Sequence, residues 1–259
     1  MPPYKYITVA NEGPLTIVTI NRPDARNALN ADSHRELTHA FDAFGADPGQ
    51  FVAIVTGAGD KAFCAGHDLK QDPEGEGGYR PPKGFGGLAE RFDLDKPLIA
   101  AVNGGAFGGG FEIALSCDII VASDHARFAL SEPRVGLAAL GSGIFRLPRQ
   151  IGLKRAMDMM LTARAVSAAE GLEFGFVNQV VSGSPMPAAR EWAARILECS
   201  PMSIRATKGA ATRLANAPLD VAMREQWNDP AVRAMLASED TREGPLAFAE
   251  KRAPVWKGR

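Results

Sequence analysis

Two glycine-containing segments hold the residues best suited to chemistry, Phe63-Cys64-Ala65-Gly66-His67-Asp68-Leu69 and Asn103-Gly104-Gly105-Ala106-Phe107-Gly108-Gly109-Gly110-Phe111-Glu112. Glycine lets a ligand approach the main chain closely. The first N–H groups of a helix lack intrahelical acceptors and carry partial positive charge. Two such donors aimed at one point stabilise an oxygen on which negative charge develops. A helix opening near Gly109 presents its N–H at such a point and sets Glu112 about one turn further in. A second carboxylate, Glu132 in Phe128-Ala129-Leu130-Ser131-Glu132-Pro133-Arg134, would complete a pair able to move a proton beside a polarised carbonyl. Plainer readings exist. Glycines 108–110 also suit a tight strand-to-helix turn, and an acidic residue ahead of a proline is usually on the surface. Asp24, Arg26 and Asp68 carry the same surface reading.

Other chemistries fit less well. Gly57-Ala58-Gly59-Asp60-Lys61-Ala62 follows a strand-like run and matches GxGxxA, but another glycine comes at once and Asp60 would place a negative charge in a pyrophosphate cradle. His34 and His39 lie five residues apart on an expected helix and His125 stands alone, so no metal-ligand spacing emerges. Gly141-Ser142-Gly143 lacks the GxSxG elbow of a serine hydrolase. Cys64, Cys117 and Cys199 form neither a disulfide framework nor a zinc pattern, which points to a reducing, cytoplasmic setting.

Strand and helix signals supply a scaffold for these residues. Tyr4 to Val9 and Leu15 to Ile20 read as a hairpin around Asn11-Glu12-Gly13-Pro14. A helix begins near Ala31, with Ser33 and Glu36 at capping-box spacing and Leu37, Ala40, Phe41 and Phe44 in helical period. Phe51 to Thr56, Leu98 to Val102 and Asp118 to Ala122 read as buried strands. Residues 72–87 lack periodicity and read as a lid-like loop, with Tyr79 in it. After Val181 the signals are helical: Pro187 to Leu197, Pro201 to Leu214 with Ser200 as its cap, Leu219 to Trp227 and Ser238 to Lys251. The alternation predicts an α/β layer architecture with parallel pairing.

The chain has 259 residues, 46% hydrophobic and 23% charged, with net charge −1. It can bury a substantial core, and its charge gives no general case for nucleic acid or an acidic membrane surface. No apolar run approaches the ~20 residues of a membrane span, and the N-terminus lacks the pattern of a signal peptide.

Taken in order, Asn21-Arg22-Pro23, Asn27-Ala28-Leu29-Asn30, the Phe63–Leu69 segment, Lys96-Pro97-Leu98-Ile99-Ala100-Ala101-Val102-Asn103-Gly104, Gly108-Gly109-Gly110-Phe111-Glu112 and Phe128-Ala129-Leu130-Ser131-Glu132 resemble the enoyl-CoA hydratase/isomerase (crotonase) superfamily over nearly the whole chain. Phe92-Asp93-Leu94-Asp95-Lys96-Pro97 and the tail from Ser238 look most like its carnitinyl-CoA dehydratase branch. The resemblance implies a ββα superhelix of two roughly perpendicular sheets over residues 1–198, and a C-terminal helical region over 199–259 used in trimerisation. A homotrimer or a dimer of trimers is implied, as is a place in fatty acid metabolism. Backbone N–H groups of His67 and Gly109 would form an oxyanion hole, and Glu112 and Glu132 would hold and activate water against a 2-enoyl-CoA. The His67 imidazole stands where a small or apolar side chain is more usual. Arg26, Ala28, Ala65, Asp68 and Leu69 match CoA-binding positions, and Lys251 would reach phosphate from a neighbouring subunit. CoA enters as part of the substrate, and no separate cofactor or metal is implied. Alternatives are a carnitinyl-CoA dehydratase, an isomerase using Glu132 alone, and a non-catalytic acyl-CoA or RNA binder.

Overall fold

The structure is a computed structural model that describes residues 4–70 and 81–259. Most of the loop expected at 72–87, including Tyr79, lies outside those residues. Strands β1 (Ile7–Glu12) and β2 (Leu15–Ile20) pair antiparallel. Helix α1 (Ala31–Ala46) follows and buries Leu37, Ala40, Phe41 and Phe44. Its cap differs from the expected box by one turn. Asn30 accepts from Ser33 N–H and Ser33 returns the bond to Asn30 N–H. Glu36 instead accepts from the N–H groups of Lys5 and Tyr6, tying α1 to the start of the chain.

The chain then alternates between two sheets. Strands β3 (Val52–Gly57), β5 (Leu98–Val102) and β7 (Ile119–Ser123) enter the larger sheet. The short strands β4 (Ala62–Cys64), β6 (Gly105–Phe107) and β8 (Arg127–Ala129) follow them into the smaller one. Helix α2 (Gly109–Leu115) leaves β6 directly. Helices α3 (Gly143–Ile151) and α4 (Leu153–Thr162) lead to β9 (Val166–Ser167), α5 (Ala168–Phe174) and β10 (Gln179–Val181). The larger sheet runs β1-β2-β3-β5-β7-β10, parallel beyond the first hairpin, and the smaller runs β4-β6-β8-β9. This is the mixed α/β arrangement of ββα units that the resemblance implies. The Gly57–Ala62 stretch enters β4 rather than a helix, so it lacks the strand–turn–helix of a dinucleotide cradle.

Past β10 only helices occur among the described residues: α6 (Met186–Leu197), α7 (Pro201–Arg213), α8 (Leu219–Glu225), α9 (Pro230–Ala237) and α10 (Asp240–Ala249). Ser200 caps α7 through Ser203 N–H, as its place before Pro201 predicts. None of the described helices is long and apolar enough to cross a membrane. The main core lies between the sheets and α1, around Phe41, Phe63, Phe111 and Phe128. A second apolar layer packs α6 against the far face of the larger sheet. The smaller sheet matters most for function, because β4 and β6 bring the two glycine segments side by side.

Candidate active site

Parallel pairing of β4 with β6 delivers residues 65–67 next to the start of α2. Gly66 has φ +90°, a conformation L-side chains rarely adopt. A Cβ there would lie 2.9 Å from the Phe107 carbonyl and 3.3 Å from the Gly109 nitrogen. Gly66 C=O accepts from Leu29 N–H at 2.8 Å, and Asp68 N–H donates to Leu29 C=O at 2.9 Å. Across a planar trans peptide, the N–H points opposite to the preceding carbonyl. His67 N–H is therefore directed away from Leu29. Gly109 is the first residue of α2, so its own N–H has no intrahelical acceptor. The close approach of Gly66, the residue before His67, thus brings this segment against the Gly109 nitrogen.

Glu112, in the first turn of α2, is buried. Its Oε1 accepts from Gly143 N–H at 2.7 Å. Gly141 and Gly143 form a cradle around it. A Cβ on Gly141 would lie 2.4 Å from Oε2, and one on Gly143 would lie 3.0 Å from Oε1. Burial pushes the Glu112 carboxyl up to about 7, the Gly143 and Gly141 N–H groups oppose the rise, and the charge on Glu132 adds to it. Glu132 opens a single 3-10 turn, Glu132–Val135, after β8. Its Oε1 is 3.2 Å from the position of a Cβ on Gly108, the residue just before α2. Glu132 Oε2 is buried with no hydrogen-bond partner among the described residues. Burial raises this carboxyl as well. A buried acceptor without a partner is costly. Glu132 is thus a half-buried site residue rather than the surface acid that its position before Pro133 suggests.

A raised carboxyl pKa in the folded state makes the carboxylate a liability for stability as pH rises. Glu112 favours folding fully below the unfolded value near 4.5, and that contribution is lost as pH rises through about 7. Glu112→Gln keeps the shape and an oxygen for Gly143. The variant is expected to be more stable than the wild type by about 2 kcal/mol at pH 8, with little gain at pH 4. Urea melts at the two pH values check this, and an equal effect at both would contradict it.

Side chains that sequence reasoning did not single out complete the enclosure. Phe85 lies against Gly109, where a Cβ would sit 2.3 Å from its ring. His34, buried on α1, accepts from Gly86 N–H through Nδ1 at 3.1 Å and meets the Phe85 ring edge-on at 4.5 Å. Its only sequence signal is a lone histidine on an apolar helix face.

The expected CoA-binding residues divide into two groups. Arg26, Ala28, Ala65, Asp68 and Leu69 are brought together where the 22–29 loop docks on the 64–69 segment, with Ala65 N–H donating to Arg26 C=O at 3.1 Å. Arg26 and Leu69 are exposed there, and Ala28 is buried. Asp68 is buried, and its carboxylate accepts from Arg22 at 2.8 Å. Arg22 also donates to the Ala28 carbonyl, so this pair clamps the loop to the segment carrying His67. Lys251 is exposed beyond the end of α10, outside this cluster. Among the described residues, no group of three or more His, Cys, Asp or Glu is placed to hold a metal ion.

This alternation of sheets also occurs in a known family. The family model for enoyl-CoA hydratase/isomerase matches residues 11–259. The chain belongs to the enoyl-CoA hydratase/isomerase family. A carnitinyl-CoA dehydratase from Salmonella typhi is 45% identical, covering 97% of this chain and 98% of its own length. Among solved structures, an enoyl-CoA hydratase from Mycobacterium marinum superposes with a TM-score of 0.92 at 39% identity, covering 98% of this chain and 99% of that one. A carnitinyl-CoA hydratase from Mycobacterium avium gives 0.76 at 41% identity over the same shares. The enoyl-CoA hydratase/isomerase fold thus covers nearly the whole chain.

Proposed function

We propose that this protein adds water across the C2=C3 bond of a 2-enoyl-CoA to give a 3-hydroxyacyl-CoA, or runs the reverse dehydration. The thioester oxygen accepts from the N–H groups of His67 and Gly109. One water sits between the two carboxyls. Glu112 takes a proton from it as its oxygen bonds to C3. The C2=C3 electrons move toward the thioester, whose oxygen holds the developing charge. Glu132 then delivers a proton to C2, so the elements of one water are added and the pair ends with as many protons as it began. The observation carrying this reading is the pair itself: two raised carboxyls flank the first turn of α2, and Glu132 Oε2 lacks a hydrogen-bond partner among the described residues. An isomerase needs only one such group.

The pair titrates as a unit and works with one proton shared between its members. The second proton leaves near pH 7, because Glu112 is raised to about that value partly by the Glu132 charge. The kcat/KM for hydration is expected to fall as pH rises through about 7, reporting the free enzyme. A profile flat from pH 6 to 9 would contradict the shared-proton assignment.

The 45% identity to carnitinyl-CoA dehydratase favours a narrower second reading, a substrate with a trimethylammonium group on its acyl chain. Parallel turnover of crotonyl-CoA and crotonobetainyl-CoA tests both. Hydration of crotonyl-CoA alone supports the general reading, and crotonobetainyl-CoA alone the narrower one. Silence with both overturns hydration and leaves an isomerase or an acyl-CoA binder. Assembly as a trimer or a pair of trimers belongs to the same proposal. It is supported by apolar side chains left exposed on the last helices, among them Leu219 and Phe248, and it would bring a partner's C-terminal tail toward the CoA phosphates.

A further inference from the structure

Phe85 touches both halves of the reacting centre. Its ring lies on Gly109, one of the two oxygen-binding donors. Its Cβ is 3.1 Å from the position of a Cβ on Gly141, whose other near neighbour is Glu112 Oε2. An acyl chain with its thioester oxygen at Gly109 and its C3 at Glu112 must pass this ring just beyond the double bond. We propose that Phe85 is the wall that meets the acyl substituent at C4, and that it selects a quaternary ammonium there. The inference rests on the hydration reading of this site and deepens its narrower form.

The ring is fixed in place. Gly84, Gly86 and Gly87 all have positive φ, so the turn carrying Phe85 has a shape few other sequences adopt. His34 Nδ1 accepts from Gly86 N–H, and Arg91 Nε donates to the Gly87 carbonyl at 2.8 Å. Phe85 itself is only half-buried.

The surrounding charges suit a cation. Burial holds His34 neutral, lowering it to about 3, so the imidazole against the ring adds no positive charge. Arg91 is neutralised by Asp42 at 2.6 Å, and Arg22 by Asp68 at 2.8 Å. The Glu112–Glu132 pair is net negative whenever it carries fewer than two protons. A quaternary ammonium cannot donate a hydrogen bond, so an aromatic face with a nearby carboxylate is what recognises it. A chain ending in a carboxylate would meet the ring and the glutamates unfavourably.

The test measures calorimetric affinities at pH 8, where ordinary imidazoles are neutral. The probes are 4-trimethylammoniobutanoyl-CoA and its uncharged carbon isostere, 5,5-dimethylhexanoyl-CoA. Neither has a double bond to hydrate, so the result does not depend on turnover. Wild type is expected to prefer the cation by about 5–30-fold. Phe85→Leu should bring that ratio close to one, and Phe85→Tyr should restore it. No preference in the wild type overturns the proposal, and this outcome needs no variant to fold. A preference that survives Phe85→Leu also overturns it, by assigning selection to the glutamates alone. Failure of hydration itself is read separately from crotonyl-CoA and crotonobetainyl-CoA turnover. A cation preference without turnover refutes hydration and keeps the role of Phe85, whereas turnover without a preference does the opposite.

Discussion

Glu132→Gln is expected to lower kcat for hydration by about 10²–10⁴ while acyl-CoA affinity stays within a few-fold. Glutamine keeps the shape of the side chain but neither gives up nor takes a proton at neutral pH. The fold should tolerate it, because Glu132 Oε2 has no protein partner to lose among the described residues, and burial already disfavours the charged carboxylate. Glu112→Gln should cost a similar factor, since Gly143 N–H can still donate to the amide oxygen that replaces Oε1. If both groups act on one water, the double variant will be little worse than either single one. Steady-state kinetics on the three variants checks this. Unchanged turnover in Glu132→Gln would remove it from the mechanism. Fully multiplicative losses would separate the two glutamates into independent roles.

Gly66→Ala should be almost as damaging, by a different route. The residue has φ +90°, where an L-side chain costs about 1–2 kcal/mol. Its new methyl would lie 2.9 Å from the Phe107 carbonyl and 3.3 Å from the Gly109 nitrogen. Both contacts are main chain and cannot rotate away, so the two donors must move apart. Loss of one such donor is worth about 10²–10³ in kcat. Gly152→Ala is the matching control. Gly152 has φ +81° but no described residue within 4 Å of a Cβ. It too carries positive-φ strain, away from the site, and should lose stability but little activity. If Gly66→Ala and Gly152→Ala lose activity equally, the paired-donor assignment is wrong.

How far the sequence revealed these features depended on how local each one is. Gly109 and Glu112 were legible because a strand, a glycine turn and a helix follow one another within ten residues, and the spacing alone places a carboxylate one turn into the helix. Ser200 before Pro201 gave a cap for the same reason. Asp229 before Pro230 repeats that pattern and caps α9 through Ala231 N–H at 2.9 Å, yet α9 was not among the expected helices, and neither were α3 to α5. The smaller sheet left no periodic signal, because three-residue strands are too short to show alternation; only the resemblance implied it. Glu132 is a candidate on residue type, but nothing local distinguishes it from a surface acid ahead of a proline, and it is the resemblance that gives it a role. His34, Phe85, Gly141 and Gly143 were missed because their contacts span long separations. His34 reaches Gly86 across 52 residues and Glu112 reaches Gly143 across 31. Asp68 reads locally as a surface residue, whereas its carboxylate is buried against Arg22.

The most direct test of the account is to incubate the purified protein with crotonyl-CoA in deuterium oxide and follow both the ultraviolet absorbance of the conjugated thioester and the mass of the product. Water addition by the Glu112–Glu132 pair predicts loss of the absorbance and a 3-hydroxybutanoyl-CoA with one deuterium on C2. Consumption without a hydroxyl group gained, or unchanged crotonyl-CoA and crotonobetainyl-CoA under conditions where acyl-CoA binds, would contradict it.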